Sequence, residues 1–138
     1  MGILSFLFGG AGANGQGAQF VTAQGFQDNL TRQTTMSPQT LAELRKHGVA
    51  NTSRLKLEFF FYTNLLAKAE RLANALKEEG YEVGYGTSAS DKSVLVVTGW
   101  TTPLLMDEET VVSWTEQMTR LGYEHDCEFD GWGTDPSQ

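Results

Sequence analysis

At 138 residues the chain suits one domain with a single modest core, and its lone cysteine, Cys127, has no partner for an internal disulfide. Nowhere does it approach the roughly 18 to 20 consecutive apolar residues that a membrane-spanning helix needs, so a reducing, cytoplasmic setting is expected. The net charge of -7 is unevenly placed: from Leu55 onward fifteen Asp/Glu face six Lys/Arg, whereas four basic residues outnumber two acidic ones before it. Such a surplus of carboxylate repels a nucleic-acid backbone and attracts a basic protein partner.

Met1–Phe8 is apolar but has no basic flank, and Phe6 stands where a myristoylation pattern needs Ser or Thr. Neither a secretory signal nor that lipid anchor is expected; the segment reads as an apolar tip that docks on its own domain or frays. The Gly9–Gly17 run reads as a flexible linker. It contains a literal G-x-G-x-x-G at Gly10, Gly12 and Gly15, but no strand is expected before it, so the βαβ context in which that motif cradles a pyrophosphate is not expected either. Phe20–Met36 is polar with scattered anchors at Phe20, Val21, Phe26 and Leu30, and residues 1–36 together read as an extension ahead of a domain spanning 37–138.

Ser37 followed by Pro38 predicts a helix start, the serine as N-cap and the proline at the first helical position. Leu41 and Leu44 share a face of that short helix, and Gly48 closes it. Leu55–Tyr62 alternates, with Leu55, Leu57, Phe59 and Phe61 on one face, and predicts a strand. Asn64 then caps a helix whose apolar stripe is Leu65, Leu66, Ala69, Leu72, Ala73 and Leu76, opposite Lys68, Arg71 and Glu78. Gly80 ends it. Tyr81–Tyr85 and Ser93–Trp100 read as strands separated by a turn of small polar residues. Asp107 caps a further helix with an acidic first turn and a buried stripe of Val111, Trp114, Thr115, Met118 and Leu121. Gly122 closes that helix, and Glu124–Trp132 forms the last strand.

Gly80-Tyr81-Glu82 and Gly122-Tyr123-Glu124 are echoes that divide the chain into two βαβ halves. Joined, they predict an α+β fold: a ferredoxin-like β-α-β-β-α-β sandwich, a four-stranded antiparallel sheet with two helices on one face, plus an N-terminal helical extension. The uncovered face then carries Phe60, Tyr62, Val94, Val96 and Trp100, too apolar to stand against water. Cover by the Ser37–Gly48 helix and its neighbours, with some contact from a partner or a second copy, is expected.

Catalytic machinery is sparse. There is no G-x-S-x-G, and the only imidazoles are His47 and His125. On a strand His125 and Cys127 would point the same way, which leaves a thiolate pair, or a metal site with the nearby acids, as the enzyme alternative. No C-x-x-C or H-x-x-x-H completes a ligand set, so neither metal nor cofactor is expected. The sheet aromatics resemble in type a base-stacking platform, the basis of an alternative RNA-binding reading that the negative charge opposes.

The run Glu128-Phe129-Asp130-Gly131-Trp132-Gly133 carries the strongest signal. Simple alternation places Glu128, Asp130 and Trp132 on one side, where an indole between carboxylates suits an arginine-bearing partner. In the equally concrete structural reading Trp132 fills the end of the core and satisfies its N–H locally. Here the chain resembles the ribonuclease E inhibitor family, also called regulator of ribonuclease activity B, whose signature Glu-Tyr-Asp-Gly-Trp-Gly differs only by Phe129 in place of Tyr. The likeness runs from roughly Leu55 to Asp135. It implies a non-catalytic protein that binds and inhibits an endoribonuclease of the ribonuclease E type and so modulates RNA turnover, without itself touching nucleic acid. Glu128, Asp130, Gly131, Trp132 and Gly133 are then the signature residues, with Asp126 beside them as a further candidate contact for a basic segment of the enzyme; a homodimer is also possible.

Overall fold

The computed structural model describes residues 18–138; the Met1–Phe8 tip and the glycine triplet Gly10, Gly12 and Gly15 lie outside them. In chain order the elements are α1 (Ala23–Lys46), β1 (Arg54–Leu55), β2 (Leu57–Thr63), α2 (Leu66–Glu78), β3 (Glu82–Thr87), β4 (Leu95–Trp100), β5 (Leu104–Leu105), α3 (Glu108–Glu124) and β6 (Glu128–Thr134). Strands β3, β4, β2 and β6 form one antiparallel sheet in that order, and β1 pairs with β5 separately. The succession β2-α2-β3-β4-α3-β6 is the expected ferredoxin-like arrangement, preceded by a helix.

Burial follows the strand alternation. Leu57, Phe59, Phe61 and Thr63 of β2 are wholly buried beneath the helices, while Glu58, Phe60 and Tyr62 on the other face are only half-buried. The core joins those rings to Leu72 and Leu76 of α2, Val97 of β4, Val111 and Met118 of α3, and Phe129 of β6. Phe61 and Phe129 lie 5.1 Å apart between ring centres. Each such side chain contributes about 1.5–3 kcal/mol on burial.

The first helix departs most from expectation. It does not begin at Ser37: Thr22 caps it, its Oγ1 accepting from Gly25 N at 2.9 Å, and it runs unbroken through Pro38 to Lys46. A mid-helix proline costs about 3 kcal/mol. The burial of Phe26, Leu41 and Leu44 offsets that cost, and so do the stacking of Phe26 on Tyr123 of α3 at 4.4 Å and a 2.7 Å bond between the Ser37 and Thr115 hydroxyls. Nor does α1 cover the aromatic face of the sheet, as was expected of the Ser37–Gly48 stretch. It packs on α3 and along β6, an edge strand, where the amides of Asn29 and Gln33 donate to the Phe129 carbonyl at 2.8 and 3.4 Å.

Four other local expectations shift. Asn64 does not cap α2; the cap position is Leu65, and the Asn64 side chain instead donates to the Ala18 carbonyl and accepts from Lys68. Lys68 is not on a solvated face but is 4 % exposed. Gly122 does not end α3, which continues to Glu124; a Cβ there would lie 2.8 Å from the Cys127 carbonyl and 2.9 Å from the Phe61 ring, so this glycine serves close packing. Gly80, its partner in the echo, does end its helix, with φ +88. The chain leaves α3 through Asp126, at φ 57, and β6 starts at Glu128 rather than Glu124.

Candidate protein-binding surface

Asp126 sits where α3 gives way to β6. Its carboxylate accepts from the backbone N–H groups of Phe20 and Val21 at 2.8–2.9 Å and from Lys68 Nζ at 2.6 Å. The Lys68 ammonium also donates to the Ala18 carbonyl and to Asn64, each at 2.9 Å. This buried ion pair therefore ties the segment entering α1 to α2 and β6. Its lone pairs are engaged inside the protein, so Asp126 is not a free contact for a partner.

Four residues on, the strand carries a bulge. Gly131 opposes Phe60 and Phe129 opposes Phe61, so Asp130 is the extra, unpaired residue, and Gly131 takes up the distortion at φ +113. The bulge reverses the alternation. Glu128 faces Tyr62 on the uncovered side, but Trp132 faces Phe59 on the helix side, contrary to the expectation that Glu128, Asp130 and Trp132 share one surface. Trp132 packs against Trp114 at 6.4 Å and its Nε1–H donates to Ser37 Oγ at 2.9 Å. The indole thus closes the end of the core with its polar atom satisfied locally. Asp130 is exposed and lines a small cleft with Met36 and Thr40 of α1. Partial loss of water around them holds the carboxyls of Glu128 and, although its side chain reaches solvent, Asp130 above the ordinary range; Asp130 pushes Glu128 further, and Arg32 pulls both back.

The His125 and Cys127 pair dissolves in the same turn. His125 caps the C-terminus of α3, Asp126 adopts the left-handed conformation, and Cys127 points into the core at 1 % exposure. Burial pushes the thiol up to about 12, so it stays protonated and unreactive near neutral pH. Burial also lowers the His125 imidazole, against a smaller opposite pull from Glu124.

The uncovered sheet face reads as three rows across β3, β4, β2 and β6. The first is Glu82, Trp100, Glu58 and Gly133; the second is Gly84, Thr98, Phe60 and Gly131; the third is Gly86, Val96, Tyr62 and Glu128. The two central strands contribute Trp100, Val96, Phe60 and Tyr62 beside Thr98 and Glu58, and every charged residue in the rows is a glutamate. At Gly84 and Gly86 an added Cβ would meet nothing within 4 Å, so the β3 edge of the face is low and open; on the β6 edge Gly133 is likewise free, but at Gly131 a Cβ would lie 3.6 Å from Gln33 of α1. Of the six candidate residues, Glu128 and Gly133 belong to this face and Gly131 borders it through its pairing with Phe60. Asp130 lies at the bulge, while Trp132 and Asp126 serve the interior. The sequence reading missed Glu58 and Glu82, although their even spacing with Phe60 and Gly84 marks them. Gly131 inside a strand was the available signal for the bulge.

A family model described as regulator of ribonuclease activity B matches residues 34–134, from within α1 to the last residue of β6. None of the curated proteins matches the chain.

Proposed function

The chain belongs to the regulator of ribonuclease activity B family, and from that premise we propose that it binds an endoribonuclease of the ribonuclease E type and lowers its activity, acting without cutting RNA itself. The observation that carries the reading is the sign of the charge. The chain bears -7 overall, and the three charged residues of its open sheet face, Glu58, Glu82 and Glu128, are all acidic. Nucleic-acid affinity rests on cations that neutralise phosphate, whereas a carboxylate-bearing apolar face is complementary to a basic stretch of protein. The enzyme alternative at His125 and Cys127 loses its geometry, because the thiol is buried and protonated.

Mixing the purified full chain with a purified ribonuclease E-type enzyme and a labelled RNA tests the proposal. The expected result is a complex that elutes as one species on size exclusion and slower RNA cleavage as the chain is titrated in. Unchanged cleavage at saturating chain, or RNA cleavage by the chain alone, overturns it.

A further inference from the structure

The open face is more specific than a generally acidic surface. Trp100 lies between Glu82 and Glu58 in one row, and Tyr62 lies beside Glu128 two rows away. Strand geometry puts those rows about 13 Å apart, with Phe60 between them. Each end thus pairs an aromatic ring with carboxylate, which suits a guanidinium that stacks on the ring and donates to the acid; a lysine ammonium, a point charge, fits that pair less well. An extended chain with two arginines four residues apart spans the same length. Such a segment runs along β2 and β4, and on its β3 flank an added Cβ at Gly84 or Gly86 would meet nothing within 4 Å.

Resting on the binding role proposed above, we infer that this face, through Trp100, Phe60 and Tyr62 and the carboxylates of Glu58, Glu82 and Glu128, is the docking surface for an extended, arginine-bearing segment of the protein partner. The core side of the same sheet has no comparable vacancy, since α2 and α3 bury it. Arg32, which approaches Glu128 and Asp130 from α1, is engaged with Asn29 Oδ1 at 2.6 Å and lies at the margin of the surface.

The probe is a synthetic peptide, Arg-Ser-Gly-Ser-Arg, titrated into the full chain at low salt, with tryptophan fluorescence and amide chemical shifts as readouts. Shifts confined to β2, β3, β4 and β6 are expected, with the corresponding lysine peptide binding several-fold more weakly. The double variant Glu58→Gln/Glu128→Gln should lower affinity about tenfold, while Glu116→Gln, which removes a charge from the exposed face of α3, should change it little. Glutamine preserves shape, and circular dichroism confirms that each variant folds. Equal loss in both variants overturns the inference, as do shifts centred on the helices, tighter binding of a single-stranded RNA of similar length, and burial of the face in a dimer detected by sedimentation. The two proposals also separate. Ribonuclease inhibition that survives Glu58→Gln/Glu128→Gln removes this surface and leaves the binding role, whereas peptide docking on the face without any inhibition removes the ribonuclease and leaves the surface.

Discussion

Asp126 and Glu128 stand two residues apart where α3 gives way to β6, yet they belong to regions that treat a carboxylate in opposite ways. At Asp126 the chain closes around the charge with an ammonium and two backbone N–H groups, at the junction of residues 18–21, α2 and β6. At Glu128 Arg32 gives partial help and Asp130 at the bulge opposes it, while the sheet face around Glu128 is lined with Phe60, Tyr62 and Trp100. A satisfied buried charge holds a fold together; a partly buried and unpaired one costs stability and is retained where something else completes it. On the proposed reading, the difference separates architecture from binding within one short run.

Breaking the closed region should have the largest effect. Lys68→Ala leaves the Asp126 carboxylate without its cation and takes one of two donors from the Ala18 carbonyl, and removing one member of such a pair costs about 3–5 kcal/mol. Urea unfolding measures it. A loss below about 1 kcal/mol would place Asp126 among the solvated surface acids and erase the contrast.

Trp132 sharpens the comparison from the next position down. Truncation to alanine removes its edge-on contact with Trp114 and its bond to Ser37, at a cost of about 3 kcal/mol, whereas Trp132→Phe keeps a ring and loses the N–H bond for about 1 kcal/mol. Both should show in thermal melts, with the affinity of folded Trp132→Phe for its partner nearly unchanged. A folded Trp132→Phe that no longer binds would move the indole to the interface after all.

These residues also show what the sequence made legible. The four sheet strands, the Asp107 cap with its 2.9 Å bond to Thr110 N, and the glycine turns at Gly48 and Gly80 were readable because each depends on alternation, capping or backbone freedom within a few residues. The side of the sheet that Trp132 occupies was not, because one extra residue at Asp130 inverts the alternation beyond it. The extent of α1 was hidden for a different reason: Ser37-Pro38 has local cap chemistry, but packing on α3 and β6 overrides it. Lys68 looked solvated on its helix because the atoms that hold it, from Ala18 and Asp126, lie 50 and 58 residues away. Of the candidate residues, Glu128 and Gly133 lie on the open face, and setting the strands in register places Glu58 and Glu82 on it as well.

Acidity probes the open region alone. Glu128 titrates above the ordinary carboxyl range because it is buried and next to Asp130, with Arg32 as the opposing influence. A cationic partner requires its ionised form, so binding should take up no proton at neutral pH and weaken as pH falls through that raised range, with a proton released on association there. Isothermal titration in two buffers of different ionisation heat reads the proton directly. Glu128→Gln should flatten the upper part of the profile, and an unchanged profile would take Glu128 out of the contact.

The smallest effect carries the opposite sign. A carboxyl whose folded pKa is raised above its unfolded value contributes stability that is fully present below the unfolded pKa and is lost as pH rises through the folded one, so at neutral pH the ionised Glu128 strains the fold. Glu128→Gln should therefore stabilise the free protein at neutral pH, by less than about 1 kcal/mol because the side chain is only partly withdrawn from water. The gain should vanish well below the carboxyl range, where both forms are uncharged. Lys68→Ala and Glu128→Gln then move the melting temperature in opposite directions, and a destabilising Glu128→Gln would mean that this carboxylate, like Asp126, is already satisfied within the fold.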